Sequence, residues 1–116
     1  MSQPRIYHNP RCSKSRATLA LLRDRGFEPE IIEYLTDPPS ADELEGLLRL
    51  LDIEPRDLAR RQEPAYAAAG LADPALGRDE VIRRMVANPS VIERPVVVYG
   101  GRAVVGRPPE RVLEIL

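Results

Sequence analysis

Apolar positions along the 116-residue chain change period several times, and each change marks an element. Arg5 to Tyr7 reads as a short first strand. From Ser13 to Arg25 the spacing becomes helical. Leu19, Leu22 and either Ala20 or Leu21 share an inward stripe, with Arg16, Arg23 and Arg25 outside. Gly26 supplies the helix stop. Glu28 to Leu35, with Ile31, Ile32 and Tyr34, reads as a second strand, and the crossover through a helix implies parallel pairing with the first. Asp37-Pro38-Pro39-Ser40 breaks the pattern. Ser40 then caps a helix, with Glu43 at the capping-box position and Leu44, Leu47, Leu48 and Leu51 as its apolar stripe.

Shorter helical pieces follow. Glu54-Pro55 opens a turn toward Leu58, Ala59 and Arg60, and Glu63-Pro64 opens another through the alanines to Gly70. A helix from about Asp79 to Ala87 turns Val81, Ile82, Met85 and Val86 inward and stops at Asn88-Pro89. Residues 38–89 thus read as a helical insertion. Val96 to Tyr99 and Arg102 to Val105 read as strands joined at Gly100-Gly101, a hairpin signal. Gly106-Arg107-Pro108-Pro109 turns into a last helix ending at Leu116, with Val112, Leu113 and Leu116 inward.

The resulting order is strand, helix, strand, helical insertion, strand, strand, helix. That is the element order of a thioredoxin-like core: an α/β fold with a mixed sheet of about four strands and the insertion between the second and third. A single domain over residues 1–116 is expected. In this fold the proline opening the third strand commonly follows a cis bond and faces a cysteine at the first helix N-terminus. Pro95 holds that place, which puts Arg94 beside the same site.

Composition narrows the function classes. Net charge is −1, so no general affinity for nucleic acid follows. No apolar run reaches membrane-spanning length and no charged-then-apolar leader is read, so no membrane association and a cytoplasmic location are expected. Lys14 is the only lysine among 17 basic residues. Arginine suits planar, bidentate contacts to oxyanions, although codon composition also explains its abundance. A single cysteine, Cys12, forbids an internal disulfide, so a redox cycle must borrow a second thiol.

The candidate chemistry lies in Ile6-Tyr7-His8-Asn9-Pro10-Arg11-Cys12-Ser13-Lys14-Ser15-Arg16, which holds the only cysteine and the only histidine. Asn9-Pro10 is a turn signal, placing Cys12 where a strand has ended and a helix begins. Unpaired amides and the macrodipole at a helix start favour a thiolate, and Arg11, Lys14 and Arg16 add positive charge. The alternative is a buried, inert cysteine. Ser15 stands where C-x-x-C would have its second thiol, and it can bond the thiolate or cap the helix. Thr18 occupies the place of a phosphatase-loop arginine, which argues against that chemistry. His8 can act on the thiol as imidazolium or fill a loop hydrogen bond. A thiolate attacking an electrophile at a basic helix end remains, and an oxyanion suits it.

Four stretches, in order, resemble the glutaredoxin-coupled arsenate reductase family: His8-Asn9-Pro10-Arg11-Cys12-Ser13-Lys14-Ser15-Arg16, Arg60-Arg61-Gln62-Glu63, Ile92-Glu93-Arg94-Pro95 and Val105-Gly106-Arg107-Pro108-Pro109-Glu110. The resemblance spans essentially the whole chain. It implies that Cys12 is the nucleophile and forms a thiol–arsenate adduct, that Arg60, Arg94 and Arg107 bind the oxyanion, and that His8 and Ser15 tune the thiolate. Arg60 is preferred to Arg61 because it begins the R-x-x-E pattern. The resemblance further implies arsenate or a similar oxyanion as substrate and glutathione as reducing co-substrate. Glutaredoxin is implied as partner; no bound cofactor, no metal and a monomeric state are expected. Cys12-Ser13-Lys14-Ser15 is more basic than the Cys-Gly-Thr-Ser form of well-studied reductases, and Arg11 replaces a small residue. Two other readings stand beside it. One is a thiol reductase or deglutathionylating protein. The other is a redox-linked regulator binding RNA polymerase, whose usual C-x-x-C switch Ser15 removes.

Overall fold

Four strands form one mixed sheet in the order β2-β1-β3-β4. The computed structural model describes residues 3–116. The strands are β1 (Arg5–Tyr7), β2 (Glu30–Ile32), β3 (Val96–Tyr99) and β4 (Arg102–Val105). β1 runs parallel to β2 and antiparallel to β3, and β3 pairs antiparallel with β4. This is the thioredoxin-like arrangement expected from the element order. The helices are α1 (Ser13–Asp24), α2 (Ala41–Leu51), α3 (Pro64–Ala68) and α4 (Arg78–Ala87), with 3₁₀ segments at Pro55–Leu58, Pro89–Val91 and Pro109–Ile115. Among the described residues, no helix is long and apolar enough to cross a membrane.

The chain divides into two compact units. The first holds β1, α1 and β2 and resumes at Arg94–Leu116. Its core joins Ile6 of β1, Leu22 of α1, Val97 of β3, Val104 of β4 and Val112 and Ile115 of the last 3₁₀ segment. Alternation in the strands puts Ile6, Val97 and Val104 in that core, as a sheet covered by a helix requires. α1 ends at Gly26, whose φ is +88°. The Phe27 N–H reaches the Leu22 carbonyl and the Gly26 N–H that of Arg23, the two bonds of a Schellman cap.

The second unit is Pro38–Glu93. Ser40 Oγ accepts from the Glu43 N–H at 3.0 Å and starts α2 as expected. Leu44, Leu47 and Leu48 of α2 and Val81, Ile82 and Met85 of α4 are buried, and the two helices pack on each other. Arg78, at the start of α4, clasps Glu45 of α2 and also Glu54, at 2.7 Å each. A bridge between Ala59 and Ile92 closes the unit, flanked by Glu93 N–H to Leu58 carbonyl at 2.7 Å.

Two expectations are corrected. The second strand is not Glu28 to Leu35 but only Glu30–Ile32. It lies at the sheet edge with one neighbour, and the chain turns at once, with Thr36 and Asp37 N–H both on the Glu33 carbonyl. The last helix is a 3₁₀ segment, so Val112 and Ile115 align at its three-residue period, and Leu116 is exposed rather than inward. In α1 the expected stripe holds, with Leu22 in the core and Leu19 and Leu21 packed against it, while Ala20 is exposed and Ser15 and Thr18 are also buried.

Candidate active site

β1 delivers the chain to a loop that Asn9 shapes. Its side-chain Oδ1 accepts from the Arg11 N–H at 3.0 Å, and its carbonyl accepts from the Cys12 N–H at 3.0 Å. Cys12 is the N-cap of α1, in extended conformation, and its carbonyl accepts the first helical bond from Arg16. The thiol is half-buried. Its sulfur closes no cap hydrogen bond, but the Ser15 and Lys14 N–H groups point toward it.

Opposing influences set the Cys12 pKa. Burial pushes the thiol up, while the Ser15 N–H, the Arg94 guanidinium and the Lys14 N–H favour the thiolate, and together they prevail, leaving the pKa below the ordinary value. The charge that acts on the sulfur thus comes from Arg94, distant in sequence. Arg11, Lys14 and Arg16 are exposed, and Arg16 spends one Nη1 hydrogen bond on the Pro10 carbonyl at 3.0 Å.

Arg94 and Arg107 converge on Cys12. Arg94 shares side-chain hydrogen bonds with Cys12 and with Tyr34, a ring that is 1% exposed at the exit of β2. Arg107 Nη1 lies 3.9 Å from Cys12 Sγ and donates to the Arg94 carbonyl at 3.2 Å. The Arg94–Pro95 bond is cis, as the fold expectation held, and Arg107–Pro108 is cis as well. Arg60 lies in the second unit, where its Nη1 meets Glu63 at 3.0 Å and its Nε stands 3.9 Å from Glu93. Arg61 is more exposed, with Asp57 at 3.8 Å.

His8 and Ser15 form a buried pair. His8 Nδ1 is 2.6 Å from Ser15 Oγ, which also accepts from the Asn9 N–H at 3.0 Å. Burial holds His8 below its ordinary pKa, with Arg23 and Arg16 adding to the effect against Glu33. The simplest proton assignment is a neutral ring that accepts the Ser15 O–H at Nδ1 and carries its own proton on Nε2. Of the two roles open to His8, this geometry displays the loop hydrogen bond. Ser15 faces the sulfur with its backbone N–H, while its hydroxyl is engaged beneath the loop.

Two site neighbours escape a reading of apolar periodicity. Thr18 is fully buried, its hydroxyl donating to the Lys14 carbonyl at 2.9 Å with the Gly106 carbonyl at 3.4 Å. Tyr34 reads as a strand hydrophobe, yet its polar end meets Arg94. The short polar stripe Ser15–Thr18 on an otherwise apolar face is the signal that could have found the first. Nothing local marks the second.

The ArsC family model matches residues 7–115. A protein of Escherichia coli strain K12 with the name uncharacterized protein YfgD is 50% identical over 115 residues, 98% of this chain and 97% of that one. An arsenate reductase of the same strain is 44% identical over 116 residues, covering 100% of this chain and 82% of its own. A solved structure of arsenate reductase from Vibrio cholerae superposes with a TM-score of 0.95 at 48% identity, covering 98% of each chain.

Proposed function

The chain belongs to the ArsC family, and we propose that it reduces arsenate to arsenite, with Cys12 as nucleophile and glutathione and glutaredoxin as the source of electrons. The observation that carries this reading is the thiol at the N-cap of α1, its pKa lowered, with Arg94 bonded to it and Arg107 Nη1 3.9 Å away. The arsenate reductases of 40–44% identity support the substrate. The single cysteine supports an external second thiol.

The thiolate attacks arsenic and forms a sulfur–arsenic bond, while one arsenate oxygen takes up protons and leaves as water. Arg94 and Arg107 hold the remaining oxygens and stabilise the charge that gathers on them. The family resemblance is the ground for assigning a third oxyanion-binding guanidinium to Arg60. Glutathione thiolate then attacks Cys12 sulfur, making a mixed disulfide. The sulfur–arsenic bond breaks with its electron pair on arsenic, which departs as arsenite. Glutaredoxin thiolate attacks the mixed disulfide and returns Cys12. Two thiol sulfurs are oxidised and arsenic gains two electrons. His8 and Ser15 act by fixing the loop that presents Cys12. A monomer in the cytoplasm, where glutathione is abundant, suits this cycle.

The test is coupled turnover of arsenate with glutathione, glutaredoxin and an NADPH-linked recycling system. Arsenate-dependent NADPH oxidation that disappears in Cys12→Ser is the expected result. Folded protein with a reactive Cys12 and no arsenate turnover would reject the substrate and leave the thiol chemistry standing for another electrophile.

A further inference from the structure

Gly106 sits in a space too narrow for any side chain. A Cβ there would lie 2.7 Å from Thr18 Oγ1, 3.1 Å from Thr18 Cγ2 and 2.9 Å from Pro95 Cγ. Its φ is not in the left-handed region, so the demand for glycine comes from packing rather than backbone. Its N–H is bonded to the Pro95 carbonyl at 2.9 Å, and its carbonyl faces the Thr18 hydroxyl at 3.4 Å. The peptide is gripped on one side by the third strand's proline and on the other by α1. The residues next to the gripped pair, Arg94 before Pro95 and Arg107 after Gly106, are the two arginines at the sulfur. Thr18 lies on the helix that carries Cys12 at its N-cap.

We propose that Thr18 is a positioning residue: its side chain, seated against Gly106, sets where Arg107 stands relative to the Cys12 sulfur. The hydroxyl has one proton, and the 2.9 Å bond to the Lys14 carbonyl takes most of it. Thr18 therefore acts on Gly106 chiefly by volume, with the longer hydroxyl contact orienting the Gly106–Arg107 peptide. A long arginine side chain magnifies a small displacement of its own peptide. At 3.9 Å from Sγ, Arg107 is at the limit of a sulfur contact, so a shift of a few tenths of an ångström is felt there. The role rests on the proposed use of Cys12 and Arg107, but its test does not require arsenate.

The experiment compares alkylation of Cys12 by iodoacetate, an anion, with alkylation by neutral iodoacetamide. The ratio of the two rates, each corrected for thiolate fraction, reads the positive charge held at the sulfur. Arg107→Ala sets the floor, expected about fivefold below wild type, the weight of one full charge at ~4 Å screened by water. Gly106→Ala should fall toward that floor, and Thr18→Ala should fall part of the way. Thr18→Ser, which keeps Oγ1 but loses Cγ2, should fall less than Thr18→Ala. The Thr18→Ala/Gly106→Ala pair should recover part of the loss, because the new methyl enters the space that Thr18 vacates. Adding Gly106→Ala to Arg107→Ala should lower the ratio no further. A wild-type ratio in folded Gly106→Ala and Thr18→Ala, or a loss that adds to that of Arg107→Ala, would overturn the proposal. Where arsenate turnover exists, KM should rise in these variants more than kcat falls. Where it does not, the ratio still decides.

Discussion

His8 Nδ1 lies 2.6 Å from Ser15 Oγ, and both side chains are buried under the loop that presents Cys12. The same hydroxyl takes the Asn9 N–H. Ser15→Ala therefore strips partners from a buried imidazole and a buried amide at once. Unsatisfied buried polar groups cost about 1–3 kcal/mol, so urea unfolding should show a loss in that range. The Ser15 N–H near the sulfur is kept, and Cys12 should remain an ionisable, reactive thiol. A fully inert thiol in a folded Ser15→Ala protein would contradict the backbone role assigned to Ser15.

His8 also gives the fold a pH dependence of known sign. Burial lowers its pKa from 6.5, so between the folded value and 6.5 the unfolded chain binds more protons than the folded one. Stability is unaffected by this group above that window and falls as pH drops through it. His8 is the only histidine, which makes the assignment clean. Denaturant midpoints measured across the window should slope in wild type, and the slope should flatten in His8→Gln.

The thiolate prediction turns on a distant arginine rather than a neighbouring one. Arg94 is hydrogen-bonded to Cys12, and an opposite charge within ~4–6 Å lowers a pKa by about 1–3 units. Arg94→Ala should raise the Cys12 midpoint, read by thiolate absorbance against pH, by about one unit or more. Arg23→Ala, an exposed arginine of the same helix that carries Cys12, should leave it in place. Equal shifts would mean that net charge, not contact, governs the thiol.

Arg60 and Arg61 can be separated by effect. Arg60 is braced by Glu63 and Glu93, while Arg61 is more exposed and stands 3.8 Å from Asp57. Partly exposed pairs contribute about 0–1 kcal/mol, so neither alanine variant should lose much stability. Under the proposed function Arg60→Ala raises KM for arsenate and Arg61→Ala does not. The reverse result would move the third guanidinium one residue along.

Gly26 offers a check on the fold alone. A Cβ added there meets nothing within 4 Å, so the cost of Gly26→Ala is conformational, not steric. At φ +88° an L-residue pays roughly 1–2 kcal/mol. Thermal or urea unfolding should show that loss with Cys12 reactivity unchanged.

Much of the framework was legible in order of residues. The hairpin Val96–Tyr99 and Arg102–Val105 follows from two valine-rich runs around Gly100-Gly101, both with positive φ. The first strand, the Ser40 cap and the Gly26 stop are likewise local events, decided within a few residues of the signal. The misread places are those where context rather than the local pattern sets the element. β2 is short because it has a neighbour on one side only. The final segment follows a 3₁₀ period, which moves the buried position from Leu116 to Ile115.

The sequence by itself determined the element order, the helix-start position of Cys12 and the absence of a second thiol, because these depend on spacing and count. It could not decide which charges reach the sulfur. Arg11, Lys14 and Arg16 are neighbours along the chain, but they are exposed, and Arg16 bonds the Pro10 carbonyl. Arg94 and Arg107 are distant along the chain and reach the sulfur because β3 pairs with β1 and the turn after β4 packs closely on Pro95 and Thr18 at Gly106. Electrostatic influence falls with distance in space, not with separation along the chain, so only the tertiary structure could choose among the arginines.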